Sequence, residues 1–95
     1  MPTYVVERYL PRMTEQRFAT VAAQTRRLAA GSGLTYVSGT LLVADEIGMF
    51  VVEADSEEAV ATALERAGLA FERITEGVED RSPASHGVGE EMTDA

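Results

Sequence analysis

The chain has no cysteine, no lysine and no tryptophan, and a single histidine. Without cysteine there is no disulfide, no thiolate metal site and no cysteine nucleophile. The one histidine, His86, stands in the segment Ser82-Pro83-Ala84-Ser85-His86-Gly87, outside every periodic stretch, so no Ser-His-Asp arrangement can be assembled on the folded part. All eight cations are arginine, a pattern that reads as codon bias. Sixteen acidic residues leave a net charge of −8, which repels a phosphate backbone and argues against nucleic acid as a partner. No apolar run approaches the ~20 residues that span a bilayer, and the first residues lack a basic stretch followed by an apolar one. The expectation is a cytoplasmic protein with no membrane partner.

What remains is patterned. Tyr4 to Leu10 is rich in β-branched and aromatic residues and stops at Pro11, which has no N–H for a ladder, so it is read as strand one. Thr14 is placed to cap a helix, with Met13 and Phe18 as a hydrophobic staple. Phe18, Val21, Ala22, Thr25, Leu28 and Ala29 recur at helical spacing, and Gly31 is expected to close this helix. Leu34 to Val43 reads as strand two, Ala44 to Gly48 as a hairpin loop containing glycine, and Met49 to Glu53 as strand three. Asp55 three residues before Glu58 suggests a capping box. Ala59, Val60, Ala63, Leu64 and Ala67 form the second stripe, ending at Gly68, and Leu69 to about Val78 is strand four.

Strand, helix, strand, strand, helix, strand is the ferredoxin-like βαββαβ plan, an α+β fold with a four-stranded antiparallel sheet. The domain is expected over 1–79. Residues 80–95 are poor in bulky apolar side chains and are expected to form a disordered acidic tail. A chain this short has a thin core, and two helices cover only one face of one sheet, so association with itself, as a dimer or higher, is expected.

Alternation along strands gives candidates for the uncovered face. In strand one Val5, Glu7 and Tyr9 share a side. In strand two Val37, Gly39 and Leu41 suit helix packing, which leaves Tyr36, Ser38 and Thr40 outward. In strand three Phe50 is assigned to the open side, and in strand four Arg73. The face so drawn carries Glu7, Tyr9, Tyr36, Ser38, Thr40, Phe50 and Arg73, a mixture of apolar walls and aimed polar groups that suits a small-molecule cleft.

Glu7 is the strongest functional candidate, because a carboxylate in a short apolar strand is costly unless paired or used. A general base is one reading; an ion pair with Arg8 or Arg73 is the ordinary one. Glu53 and Glu76 are further carboxylates. Gly31 and Gly33 lie between helix and strand, the wrong direction for a phosphate cradle, and Glu57-Glu58 at a helix start only complements its dipole.

The segment Tyr-Val-Val-Glu-Arg in strand one, Gly-Leu-Thr-Tyr before strand two, Glu-Ala-Asp-Ser-Glu-Glu-Ala at the second helix and Phe-Glu-Arg-Ile-Thr-Glu near the end resemble a family of small actinobacterial ferredoxin-like proteins of unknown function that includes nickel-binding, nickel-responsive members. The resemblance covers about residues 3 to 79. It implies dimers, and a Trp, a His and a Cys where this chain has Tyr36, Ser38 and Phe50, with Glu7 and Arg73 matching. Imidazole and thiolate are what nickel prefers, so their loss leaves only a weak carboxylate site from Glu7 of both protomers, and no cofactor is expected. Three functions follow as expectations. The first is a homodimeric binding protein holding a small ligand, less readily nickel, on the open face. The second rests on a further likeness, since the architecture also resembles that of dimeric α/β-barrel proteins, which include cofactor-free monooxygenases and cyclases: such an enzyme would use Glu7 as acid or base, with Tyr9 and Tyr36 shaping the cavity around an aromatic or polyketide-like substrate. The third is a filled, purely structural interface.

Overall fold

The computed structural model describes residues 1–80, so the expected tail and His86 lie outside the described residues. Six elements follow one another: β1 (Thr3–Tyr9), α1 (Glu15–Gly31), β2 (Thr35–Leu42), β3 (Ile47–Glu53), α2 (Glu57–Arg66) and β4 (Arg73–Gly77). The sheet is antiparallel throughout, in the order β2-β3-β1-β4. This is the ferredoxin-like arrangement that the element order implied.

Local chemistry sets the element ends. Thr14 caps α1, its hydroxyl accepting from the Arg17 amide at 3.1 Å. The helix runs on through Gly31, and the left-handed turn falls at Gly33 (φ 77°), two residues later than the expected stop. α2 is capped by Ser56, which accepts from the Ala59 amide at 3.1 Å, in place of the expected Asp55–Glu58 box. Ser56 displaces Asp55 because the hydroxyl one residue later already reaches the orphan amide. Between β2 and β3 the turn contains no glycine: Glu46 itself adopts φ 59°, and Gly48 is inside β3. Glu46 is held there by its own bonds, its carbonyl accepting from the Leu10 amide at 2.8 Å and its carboxylate from the Arg12 amide at 3.1 Å.

The core lies between the sheet and the two helices. Tyr4, Val6 and Leu10 of the β1 segment and Phe50 and Val52 of β3 are buried against Ala29 of α1 and Val60, Ala63 and Leu64 of α2. α1 rests mainly on β2 and α2 on β4, and the helices touch each other sparsely. Gly48 is required by a close approach: a β-carbon there would stand 2.6 Å from Leu10 Cδ1 and 3.2 Å from the Phe50 ring.

Two of the expected face assignments are corrected. Phe50 is on the helix-covered side, fully buried and stacked on Phe18 with centroids 5.6 Å apart. Tyr36 is also on that side, opposite Val52, with the Arg26 guanidinium of α1 5.2 Å from its ring centre. The cause is a β-bulge. Tyr36 pairs with Val52 and Ser38 with Val51, which leaves Val37 as the extra residue and breaks the two-residue alternation between Tyr36 and Ser38.

Candidate functional site

The side of the sheet away from the helices is the candidate site, and the pairing registers map it as four rows running from β4 through β1 and β3 to β2. At one end stand Gly77, Thr3, Glu53 and Thr35. Next come Thr75, Val5, Val51 and Ser38, then Arg73, Glu7, Met49 and Thr40. The last row is Tyr9, Ile47 and Leu42. Val5, Ile47, Met49 and Val51 are only half-buried, because none of the described residues forms a second layer over them. They form an apolar band along the two central strands. The residues that flank Val5 and Val51 in their row, Thr75 and Ser38, are short and hydroxylated, so the middle of the face is lower than a row of large side chains would leave it.

Glu7 and Arg73 are direct cross-strand partners, with Nε 3.6 Å from Oε2. Arg73 Nε also donates to Thr75 Oγ1 at 3.3 Å, which steadies the guanidinium over β4. The pair is the ion pair expected for Glu7, and Arg73 rather than Arg8 is the partner. The Arg73 side chain is 67% exposed, so the pair contributes less than about 1 kcal/mol to folding. Its value is positional: a carboxylate and a guanidinium are presented side by side at the margin of the apolar band.

Of the candidates named from the sequence, Glu7, Tyr9, Ser38, Thr40 and Arg73 share this face, while Tyr36 and Phe50 do not. Tyr9 leans towards the β2–β3 turn, its hydroxyl donating to Glu46 Oε1 at 3.4 Å, and it is 55% exposed. Sequence reasoning missed Met49, Val51 and Ile47. A signal was present: Glu53 shares their parity, and a carboxylate at the end of an otherwise apolar strand marks the wetter face. For the bulge in β2 no comparable signal exists, since Thr-Tyr-Val-Ser-Gly-Thr alternates well either way.

Among the described residues no group of three or more His, Cys, Asp or Glu is placed to hold a metal ion. Of the two positions that the resemblance matches to the ligand types His and Cys, Ser38 is on the open face and Phe50 lies under the helices, and Glu7 is already engaged by a guanidinium. A recess of about 480 Å³ lies elsewhere. It is an open groove beside Gly31, Ser32 and one flank of α2.

The described residues form a ferredoxin-like α+β domain whose helices cover one side of the sheet. A solved structure of this kind, the crystal structure of SCO4226 from Streptomyces coelicolor A3(2), superposes with a TM-score of 0.69 over 83% of this chain and 99% of that one, at 18% identity. At that identity the likeness shows the fold. No family model matches the sequence, and no curated protein matches it. No helix among the described residues is long and apolar enough to cross a membrane.

Proposed function

We propose that the chain is a homodimeric binding protein whose open sheet faces meet and hold a small molecule between protomers. The observation that carries this reading is the half-buried band of Val5, Ile47, Met49 and Val51 on a face that no other described residue covers, bordered by the Glu7–Arg73 pair and by the short side chains of Ser38, Thr40 and Thr75. Apolar side chains on one face of a sheet seek a second layer. A second copy supplies one of the same kind, and the isologous contact buries the band against itself. Sheets packed face to face stand about 10 Å apart, so the short side chains leave room between them. A ligand with an apolar body and one group that both accepts and donates would meet the band and the ion pair at once.

The enzymatic reading, a cofactor-free monooxygenase or cyclase, is less well supported. Its base is committed to Arg73, and Tyr36, one of its two aromatic walls, belongs to the helix side. Nickel ranks behind an organic ligand for the reasons of donor chemistry given above.

Sedimentation and native mass spectrometry test the proposal. The wild-type chain should be a dimer at micromolar concentration, and Val51→Glu, which places a carboxylate in the centre of the band, should be a folded monomer. Material purified without denaturation should carry an additional small mass per dimer, which Val51→Glu loses. A wild-type monomer at 100 micromolar would sink the dimer. A dimer that never carries or accepts a small molecule, with a side-chain-filled interface, would leave the structural reading in its place.

A further inference from the structure

β2 lies at the margin of the sheet, paired on one side with β3 and on the other with no strand among the described residues. Such an edge leaves a row of backbone N–H and C=O groups open to another strand, and proteins ordinarily blunt it with shortness, charge, proline or a bulge. The opposite edge, β4, is blunted in this way: it has five residues and carries Arg73 and Glu76. β2 is blunted much less. Its eight residues, Thr-Tyr-Val-Ser-Gly-Thr-Leu-Leu, include no charge and no proline. The uncharged run extends beyond the strand, from Leu28 to Ala44, in a chain one quarter of whose residues are charged. The bulge at Val37 lies near the start of the strand, so Ser38 to Leu42 keep a regular register.

The occupant that suits this edge is a second copy of the same strand. Each chain carries a net charge of −8, so two copies approach with least repulsion along a strip that has no charge at all. The regular run is also compatible with itself in the antiparallel sense. A two-fold axis through Thr40 sets Thr40 against its counterpart, a favourable cross-strand pair, and Ser38 against Leu42 on the open side. On the helix side the same axis sets Gly39, which has no side chain to obstruct it, against Leu41. A single edge of this length offers only a few backbone hydrogen bonds, each of small net worth. It therefore joins dimers, in which two edges engage together, more readily than lone chains.

We infer that β2 pairs antiparallel with β2 of another copy, so that the sheets of two dimers run on into one another and the chain forms a tetramer at high concentration. The inference rests on the face-to-face dimer proposed above and adds a second, separate contact to it.

The test follows the full-length chain as its concentration rises. Sedimentation equilibrium should show the dimer at about 20 µM and the tetramer at about 1 mM. Amide exchange measured by NMR locates the contact, because on an open edge strand every second amide lacks an acceptor and exchanges fast. Fast and slow amides should alternate from Ser38 to Leu42 in the dimer, and the fast ones should slow at least tenfold in the tetramer. Leu41→Lys, which sets a charge into the edge on the helix side and away from the open face, should keep the dimer and abolish the tetramer. If that variant does not fold, the concentration series on the unaltered chain decides. A dimer at 1 mM with alternating exchange overturns the edge pairing and leaves the face-to-face dimer standing. A tetramer whose fast amides stay fast overturns it as well, since the copies then meet elsewhere. So does slow exchange through the whole run at every concentration, which would place another part of the same chain on the edge. A monomer throughout overturns both contacts.

Discussion

Phe50 has no solvent-accessible surface and stacks on Phe18, and the backbone beside it is kept bare by Gly48. In a domain with so few large buried side chains, this ring is a large share of what holds sheet to helices. Phe50→Ala should lower the unfolding free energy by about 3–5 kcal/mol, read from the urea midpoint by far-UV circular dichroism. A second residue-scale effect concerns pH. Burial pushes the Tyr36 phenol above its ordinary value, against the opposing pull of the Arg26 guanidinium. Burial does the same for Tyr4, helped by Glu76 and Glu57, while the backbone N–H of Glu57 opposes it. The folded chain therefore holds these protons after the unfolded chain has released them. The associated stability is intact below the unfolded tyrosine pKa of about 10 and is lost as pH rises through the higher folded values. Urea midpoints measured from pH 8.5 to 11.5 should fall across that window, and Tyr36→Phe should make the decline shallower.

The helices are short and depend on their first turns. Thr14 and Ser56 each satisfy an amide that would otherwise have no partner, so Thr14→Ala and Ser56→Ala should each cost about 1 kcal/mol in the same urea experiment. A value near zero would show that the cap bond is replaced by water at no cost. The elements themselves were legible in the sequence. Helical spacing in Phe18–Ala29 and Ala59–Ala67, bounded by hydroxyl residues and glycines, placed both helices within a few residues, and the strand order followed from their alternation with β-rich runs. The faces of two strands were less legible, for separate physical reasons. Strand β3, Ile-Gly-Met-Phe-Val-Val-Glu, is apolar on both sides, so the parity of its terminal Glu53 is the one local mark of the side the helices leave open. In β2 the extra residue shifts parity midway, and that shift depends on pairing with β3 rather than on any local preference. Glu7 and Arg73, a carboxylate and a cation at matching parity in strands that become neighbours, were legible because opposite charges declare themselves where apolar residues do not.

For the molecule as a whole, charge and shape pull against each other. The half-buried band favours association, while a net charge of −8 per chain makes two copies repel. Repulsion between exposed charges is screened over about 10 Å at 0.1 M salt, whereas apolar contact is not weakened. The dimer proposed here should therefore tighten as sodium chloride rises from 20 to 300 mM, measured by sedimentation equilibrium, in contrast to an assembly held by complementary ion pairs, which would loosen. Salt-induced dissociation would show that the contact is electrostatic and that the apolar band is not its centre.

The extra residue at Val37 separates two jobs that a regular strand would tie together. Tyr36 answers only to the interior, beneath Arg26 and beside Gly39, while Ser38, two positions on, answers only to whatever approaches the outer surface. Exchanging Ser38 for a larger or charged side chain should thus alter the proposed dimer face with the packing under the helices unchanged, and changes at Tyr36 should act on stability with that face untouched. Removing Val37 would rejoin the two, forcing either the tyrosine out into water or Ser38, Thr40 and Leu42 inward under the first helix.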